Sequence, residues 1–204
     1  MKDDYFTYWN QWENGFIDPL SDLRHWAEYC DVQPDDFVLE VGIGGGESYI
    51  ETRHGFCGDL NDNATTYQKR KHPLIRIAQF DGRHLPFPAD TFDKVLIRYL
   101  IHNLPTDNDR AMLFCEVHRV LKNGGIMVLG KVPRKSYLHL SKYRNLTTIN
   151  NWILCKKQYF TPQNIRKLNK QLKDIGFDFL HKRKMPGNKF YRDLRYEKNG
   201  NQPV

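Results

Sequence analysis

Cysteine is scarce in this 204-residue chain: Cys30, Cys57, Cys115 and Cys155 lie far apart and form no C-x-x-C pair. That spacing offers neither a disulfide framework nor a zinc knuckle, and each thiol has apolar or aromatic neighbours. All four are expected to be reduced and buried, and no metal is expected. Long apolar runs are missing too; none approaches the roughly 18 residues of a membrane span. The start, Met1-Lys-Asp-Asp-Tyr5, has no apolar signal core, so a cytoplasmic protein is expected. Repeats and low-complexity tracts are absent. The length suits one domain with a sizeable core.

Charge is unevenly spread. Residues 1–130 hold 13 Lys and Arg against 20 Asp and Glu, a deficit of 7; residues 131–204 hold 18 against 4, an excess of 14. A basic last third suits an anionic partner such as nucleic acid, a membrane surface or a phosphorylated substrate. It equally suits a solvated basic helix and hairpin, because the cations are spread over several elements.

Residues 1–17 are aromatic-rich (Tyr5, Phe6, Tyr8, Trp9, Trp12, Phe16) without clean periodicity. A helix is expected from Ser21 as N-cap, with Leu20, Leu23, Trp26, Ala27 and Cys30 at helical spacing. Strands are expected at 37–41, 56–60, 74–79, 92–98 and 125–132. Helices are expected at 62–71 and 107–122, the second ended by an Asn123-Gly-Gly cap. Residues 134–160 are basic, aromatic and poorly periodic. Thr161-Pro162 then opens a helix with Ile165, Leu168, Leu172 and Ile175 inward, and Gly176 ends it. Phe177–Met185 and Lys189–Glu197 read as a hairpin about Pro186-Gly-Asn. The alternation predicts an α/β fold: a doubly wound, mostly parallel seven-stranded sheet closed by an antiparallel hairpin. One domain is expected over 1–204: a helical and aromatic lid (1–34), a cofactor-binding core (35–132), a flap insert (133–160), and a terminal helix and hairpin (161–198).

Chemistry-bearing residues fall at the strand ends. Val38-Leu-Glu-Val-Gly-Ile-Gly-Gly-Gly46 is a buried strand ending in four glycines over five positions. Such a turn lets backbone approach a cofactor closely. Asp59 ends the second strand, and an ionised carboxylate, which only accepts hydrogen bonds, suits two ribose hydroxyls. Nicotinamide enzymes place an acid there as well. Asp81, in Phe80-Asp-Gly-Arg-His-Leu-Pro-Phe-Pro88, suits an exocyclic adenine amine. Each acid also has a structural reading: Glu40 and Asp81 as caps, Asp59 as an unoccupied strand-end acid. His102 reads as a packed or substrate-rim residue or as a base.

These segments, with Gly58-Asp-Leu60, Phe92-Asp93, Leu100-Ile-His-Asn-Leu104 and Glu116-Val-His-Arg-Val-Leu-Lys-Asn-Gly-Gly125, resemble the class I S-adenosylmethionine-dependent methyltransferases. The likeness is to the ubiquinone/menaquinone-biosynthesis-type branch and runs over about residues 36–132, more loosely to about 198. It implies methyl transfer from S-adenosylmethionine to a small molecule by in-line displacement. It implies cofactor contacts at Glu40 (amino group), Gly42, Gly44, Gly46, Asp59, Leu60, Asp81, Gly82 and the backbone near Arg98 (methionyl part). Tyr99 and His102 are the candidate catalytic groups at the mouth. Tyr5, Tyr8, Trp9, Trp12 and Trp152 are candidate substrate contacts in the two lid segments, or ordinary packing of a flap. Two departures stand out: the stretch between the glycines and Asp59 is short, and Asn123 replaces the usual turn proline. An RNA methyltransferase, or an enzyme attacking the cofactor's aminobutyryl chain, is the alternative.

Overall fold

In the computed structural model, residues 19–44, 54–133, 164–185 and 188–200 are described. They form α1 (Pro19–Cys30), β1 (Val38–Val41), β2 (Gly55–Asp59), α2 (Asp62–Lys71), β3 (Ile77–Gln79), β4 (Phe92–Arg98), α3 (Asp107–Val120), β5 (Leu121–Pro133), α4 (Ile165–Ile175), β6 (Phe177–Met185) and β7 (Asn188–Lys198). The seven strands make one sheet in the order β3-β2-β1-β4-β5-β7-β6. The first five are parallel, β7 runs antiparallel to β5, and β6 antiparallel to β7. This is the doubly wound sheet with a terminal hairpin that the sequence predicts.

Alternation along the central strands explains why they are apolar at nearly every position. Leu39, Val41, Val95, Ile97, Met127 and Leu129 pack with Leu113, Phe114 and Val117 of α3 and with Leu168 and Leu172 of α4. Their neighbours Val38, Leu96 and Val128 face the opposite way, against Trp26, Tyr29 and Cys30 of α1. Both faces are covered, so a residue pointing either way is buried. Gly130 is glycine for a related reason: Trp26 lies so close that a Cβ there would stand 2.4 Å from its ring.

Four local expectations are corrected. Helix α1 starts at Pro19, two residues before Ser21; proline at a first helical position loses no hydrogen bond, so Ser21 is inside the helix and not its cap. Helix α3 stops at Val120 and Leu121 is already extended, passing directly into β5. The left-handed Gly124 therefore belongs to the irregular stretch at the start of β5, where pairing with β4 jumps from Leu121 to Ile126, and does not cap the helix. The cap of α4 is Asn164, whose side chain accepts from the N–H groups of Arg166 and Lys167; Thr161 and Pro162 lie outside the described residues. Cys115 is exposed, while Cys30 and Cys57 are buried; on α3 the core takes Leu113, Phe114 and Val117, and Cys115 turns outward. Cys155 lies outside the described residues.

Two predictions arise here. Asn164→Ala is expected to cost about 1 kcal/mol in an unfolding titration, the usual worth of an N-cap side chain. Asp107 ties the start of α3 to α4, its carboxylate meeting Lys167 at 2.8 Å and Arg110 at 2.6 Å. Those hydrogen bonds pull its pKa from 3.8 to about 2. A carboxyl depressed by folding stabilises the native state above its unfolded pKa, and that contribution disappears as pH falls through the folded value. The wild type should therefore lose stability between about pH 4 and 2 more steeply than Asp107→Asn, as read from unfolding midpoints across that range. The pair is exposed, so the difference should be small.

Candidate functional site: a cradle at the ends of β1, β2 and β4

The parallel order reverses between β1 and β4, and the crevice beyond such a switch point is where open α/β sheets bind ligands. Gly42 and Gly44 follow β1 with left-handed φ of 79° and 55°, a conformation that favours residues without a Cβ. The N–H groups of Gly42 and Ile43 donate to Gly58 O at 2.8 and 3.3 Å, which ties the turn to β2. From α2, Gln68 donates to Gly44 O at 3.2 Å. A Cβ on Gly42 would press on Leu100, so the segment after β4 flanks the turn. Around Gly44 no atom of the described residues comes within 4 Å of the equivalent position. Gly46 lies outside the described residues, as does the short crossover after it.

Asp59 ends β2 beside this turn. One carboxylate oxygen accepts from Gly44 N–H and the other from Asn61 N–H, each at 2.9 Å. An ionised carboxylate has about four acceptor positions, so each oxygen retains capacity for a further donor. Leu60, next along, is 61% exposed and presents an apolar surface at the same rim. Glu40 is buried within β1.

Asp81 follows β3 and is shared with its neighbour. Arg83 donates to it from its backbone N–H and from Nε and Nη2, and also reaches Asp109 at 2.6 Å. The hydrogen bonds from Arg83 hold the Asp81 carboxyl below the usual range, against the opposing effect of burial. Any ligand amine there shares the carboxylate with a guanidinium, a partner that sequence reading missed. Gly82 stands where a Cβ would be 2.9 Å from Leu113 and 3.0 Å from Val41. That close approach seats the loop on the sheet. Glu116 and Arg119 of α3 clamp the next stretch: Glu116 accepts from Leu85 N–H, and Arg119 donates to the carbonyls of Leu85 and Phe87.

The structure places Arg98, Tyr99 and His102 together after β4. Tyr99 has a left-handed φ of 56° and its N–H donates to Gly130 O. The Arg98 guanidinium lies 5.9 Å from the Trp26 ring centre and 5.5 Å from that of Tyr99. His102 is buried, edge-on to Tyr99 with centroids 6.1 Å apart. A second cation was not anticipated: Lys131, at the irregularity between Leu129 and Val132 within β5, is buried and holds its ammonium 5.6 Å from the Tyr99 ring centre. Tyr5, Tyr8, Trp9, Trp12 and Trp152 lie outside the described residues. Among the described residues no cluster of His, Cys, Asp or Glu suits a metal, and no helix is long and apolar enough to cross a membrane.

Comparison with known proteins bears on the fold. The fold is that of S-adenosylmethionine-dependent methyltransferases: the solved structure of one from Methanosarcina mazei superposes with a TM-score of 0.66 at 18% identity, over 85% of this chain and 97% of its own. Residues 39–129 match the methyltransferase domain family. A demethylmenaquinone methyltransferase of Lysinibacillus sphaericus is 36% identical over 116 residues, 52% of this chain and 47% of its own length. A ubiquinone/menaquinone biosynthesis C-methyltransferase of Teredinibacter turnerae is 28% identical over 136 residues, 60% of this chain and 53% of its own. The chain thus spans about half the length of these curated relatives.

Proposed function

We propose that the protein transfers a methyl group from S-adenosylmethionine to a small-molecule acceptor. The observation that carries this reading is Asp59, whose two oxygens are oriented by Gly44 and Asn61 at the edge of the left-handed glycine turn. That arrangement leaves acceptor capacity aimed at a vicinal diol, and no atom of the described residues comes within 4 Å of the Cβ position at Gly44. Asp59 takes the ribose hydroxyls, Leu60 lies along the adenine, and Asp81 accepts from its amine while anchored by Arg83. The Gly42–Gly44 backbone and the segment from Arg98 face the methionyl part, with Glu40 toward its amino group.

When bound, S-adenosylmethionine supplies an electrophilic methyl carbon on a sulfonium that is already a good leaving group. The chain's work is to hold acceptor and donor in line at near-attack distance. Tyr99 and His102 stand beside the donor end of the cradle, and a proton need pass to one of them only when the acceptor is protonated at neutral pH. The quinone-biosynthesis names of the curated relatives favour a small organic acceptor over a nucleic acid.

The test is to incubate purified protein with S-adenosylmethionine, with and without a panel of quinols, phenols and carboxylic acids, and identify every product. S-adenosylhomocysteine formed only with an acceptor supports the reading. Methylthioadenosine formed without one overturns it in favour of chemistry on the aminobutyryl chain, and methylation of added RNA alone overturns the small-molecule assignment.

A further inference from the structure

We propose that the exposed flank of α4 and the edge strand β6 form a docking surface for an anionic lipid bilayer. The basic last third of the sequence suits either an anionic partner or solvated elements, and the structure gathers its cations on one face. Arg166, Lys170 and Lys173 are exposed and stand four and three residues apart on α4, so they share one stripe of the helix. That stripe adjoins the terminal hairpin: Asn169, three residues from Arg166 and four from Lys173, accepts from the Tyr196 hydroxyl of β7 at 2.7 Å. The flank toward α3 is a different one, where Lys167 and Gln171 both reach Asp107.

Strand β6 continues the same face. Lys182 pairs with Leu194, and residues opposite each other in a ladder share a face. Leu194 packs in the core with Leu168 and Leu172 of α4, so Lys182 stands on the α4 side. Lys184, two residues on, stands there too, and both are exposed. None of these five cations has a carboxylate partner among the described residues. Lys167 and Arg183, beside them in sequence, are each matched with an acid, Asp107 at 2.8 Å and Asp193 at 3.0 Å. The two acids of the segment stand apart from the face. Asp174 lines the groove between α4 and α3, which Lys170 also borders. Asp178 alternates with Phe177 and Phe179 to the other side of the sheet.

Charge alone would be met by any polyanion, and two further features select a lipid surface. Phe179 and Leu180, at the same edge, are 43% and 46% exposed. Phe179 lies against Tyr196 with ring centroids 5.5 Å apart, and Leu180 is the extra residue where pairing jumps from Phe179 to His181. Apolar side chains beside a basic face gain from the headgroup boundary of a bilayer and little from the phosphates of a nucleic acid. Edge lysines also deter strand pairing, but that purpose asks for neither three cations on a helix nor two apolar residues left exposed. The second feature is that four of the five cations are lysines. Their long stems carry a compact charge to a surface, whereas nucleic-acid recognition favours the guanidinium fork. The rest of the chain supplies orientation: residues 1–130 carry a deficit of 7 charges, so an anionic surface repels them and draws this face. Strand β6 runs parallel to β5, since both are antiparallel to β7, and Lys184 therefore lies toward the end of the sheet where the cradle opens. Docked in this way, the protein holds its crevice beside the lipid.

The test is sedimentation of the full chain with phosphatidylcholine vesicles that contain or lack about one third phosphatidylserine. The wild type is expected to bind the mixed vesicles at least about tenfold more tightly, and to be released as salt rises to about 0.5 M. Changing Lys182→Glu and Lys184→Glu together should weaken that binding by at least about 25-fold, about fivefold for each charge lost. Leu180→Ser should weaken it as well, by removing an apolar contact. Changing Lys69→Glu and Arg70→Glu together alters net charge equally on α2, beside β3 at the opposite edge of the sheet, and should leave binding nearly unchanged. If the glutamate pair fails to fold, Lys182→Gln with Lys184→Gln asks the same question and should still weaken binding. Equal sedimentation with both vesicle types, none with either, or an equal loss in the α2 variant overturns the proposal. So does binding of a mixed-sequence single-stranded RNA, lost in the Lys182 and Lys184 variant, without binding of vesicles; the face then belongs to nucleic acid. Vesicle binding needs no cofactor, so its failure leaves the methyltransferase reading untouched.

Discussion

Asp59→Ala should weaken binding of S-adenosylhomocysteine by about 100-fold or more, measured by calorimetry. Two hydrogen bonds from hydroxyls to one charged acceptor are removed, each worth about 1.5–3 kcal/mol. The carboxylate also organises the protein around it: Gly44 N–H and Asn61 N–H both lose their acceptor. The glycine turn and the N-cap residue of α2 are therefore loosened together. Asp59→Asn separates the two contributions. Its single carbonyl oxygen can serve one of the two N–H groups, while its amide nitrogen turns a donor toward the other and toward the ribose. Its affinity should fall between wild type and Asp59→Ala. An alanine variant that binds within twofold of wild type would remove the ribose assignment.

Trp26→Ala should be the most destabilising single truncation outside the central strands, costing about 3–5 kcal/mol. The indole is 2% exposed and lies on Gly130, where the missing side chain of β5 makes its seat. Removing it empties a cavity under α1 that β5 cannot fill. The loss should extend to the edge of the sheet, because the Tyr29 hydroxyl, one turn along α1, donates to the carbonyls of His181 and Asp193 at 3.1 Å each. Burial and the nearby Asp193 raise the pKa of that hydroxyl well above its ordinary value, so it stays a donor at any pH used for assay. Urea titration should show a lower midpoint with an unchanged slope. A drop below about 1 kcal/mol, the level of a surface change, would mean that α1 is not stapled through Trp26.

Much of this architecture was legible because its cause is local. Helix α2 and strand β4 match their expected bounds residue for residue, since each is framed by residues with an obvious role: Asn61 as cap, the apolar run 95–97 between two charged ends. The glycine turn and Asp59 were legible because a buried strand that stops on glycines leaves few interpretations. The end of α3 was misread because Asn123-Gly-Gly is a good helix stop considered alone. What ends the helix two residues earlier is Leu121, already paired across the sheet with Phe92, and that pairing is not local. Glu116 and Arg119 went unassigned for the same reason, since the α3 clamp joins residues 31 to 34 positions apart. Lys131 was not singled out in the sequence. Nothing in Gly130-Lys-Val132 reveals that its stem is buried or that Asp193, 62 residues on, fixes its backbone.

The order of strands also has a consequence for how the chain is made. Strand β7 lies between β5 and β6, so two strands emerge from the ribosome before the one that joins them. Until residues 188–198 are available, the outer edge of β5 is open and β6 has no neighbour in the sheet. Both carry unsatisfied N–H and C=O groups that invite pairing with other chains. The five parallel strands can form early, yet Asp193, which holds the backbone of Lys131, arrives only with β7. A nascent chain stopped before residue 188 should therefore build the five parallel strands first and leave the outer edge of β5 unpaired.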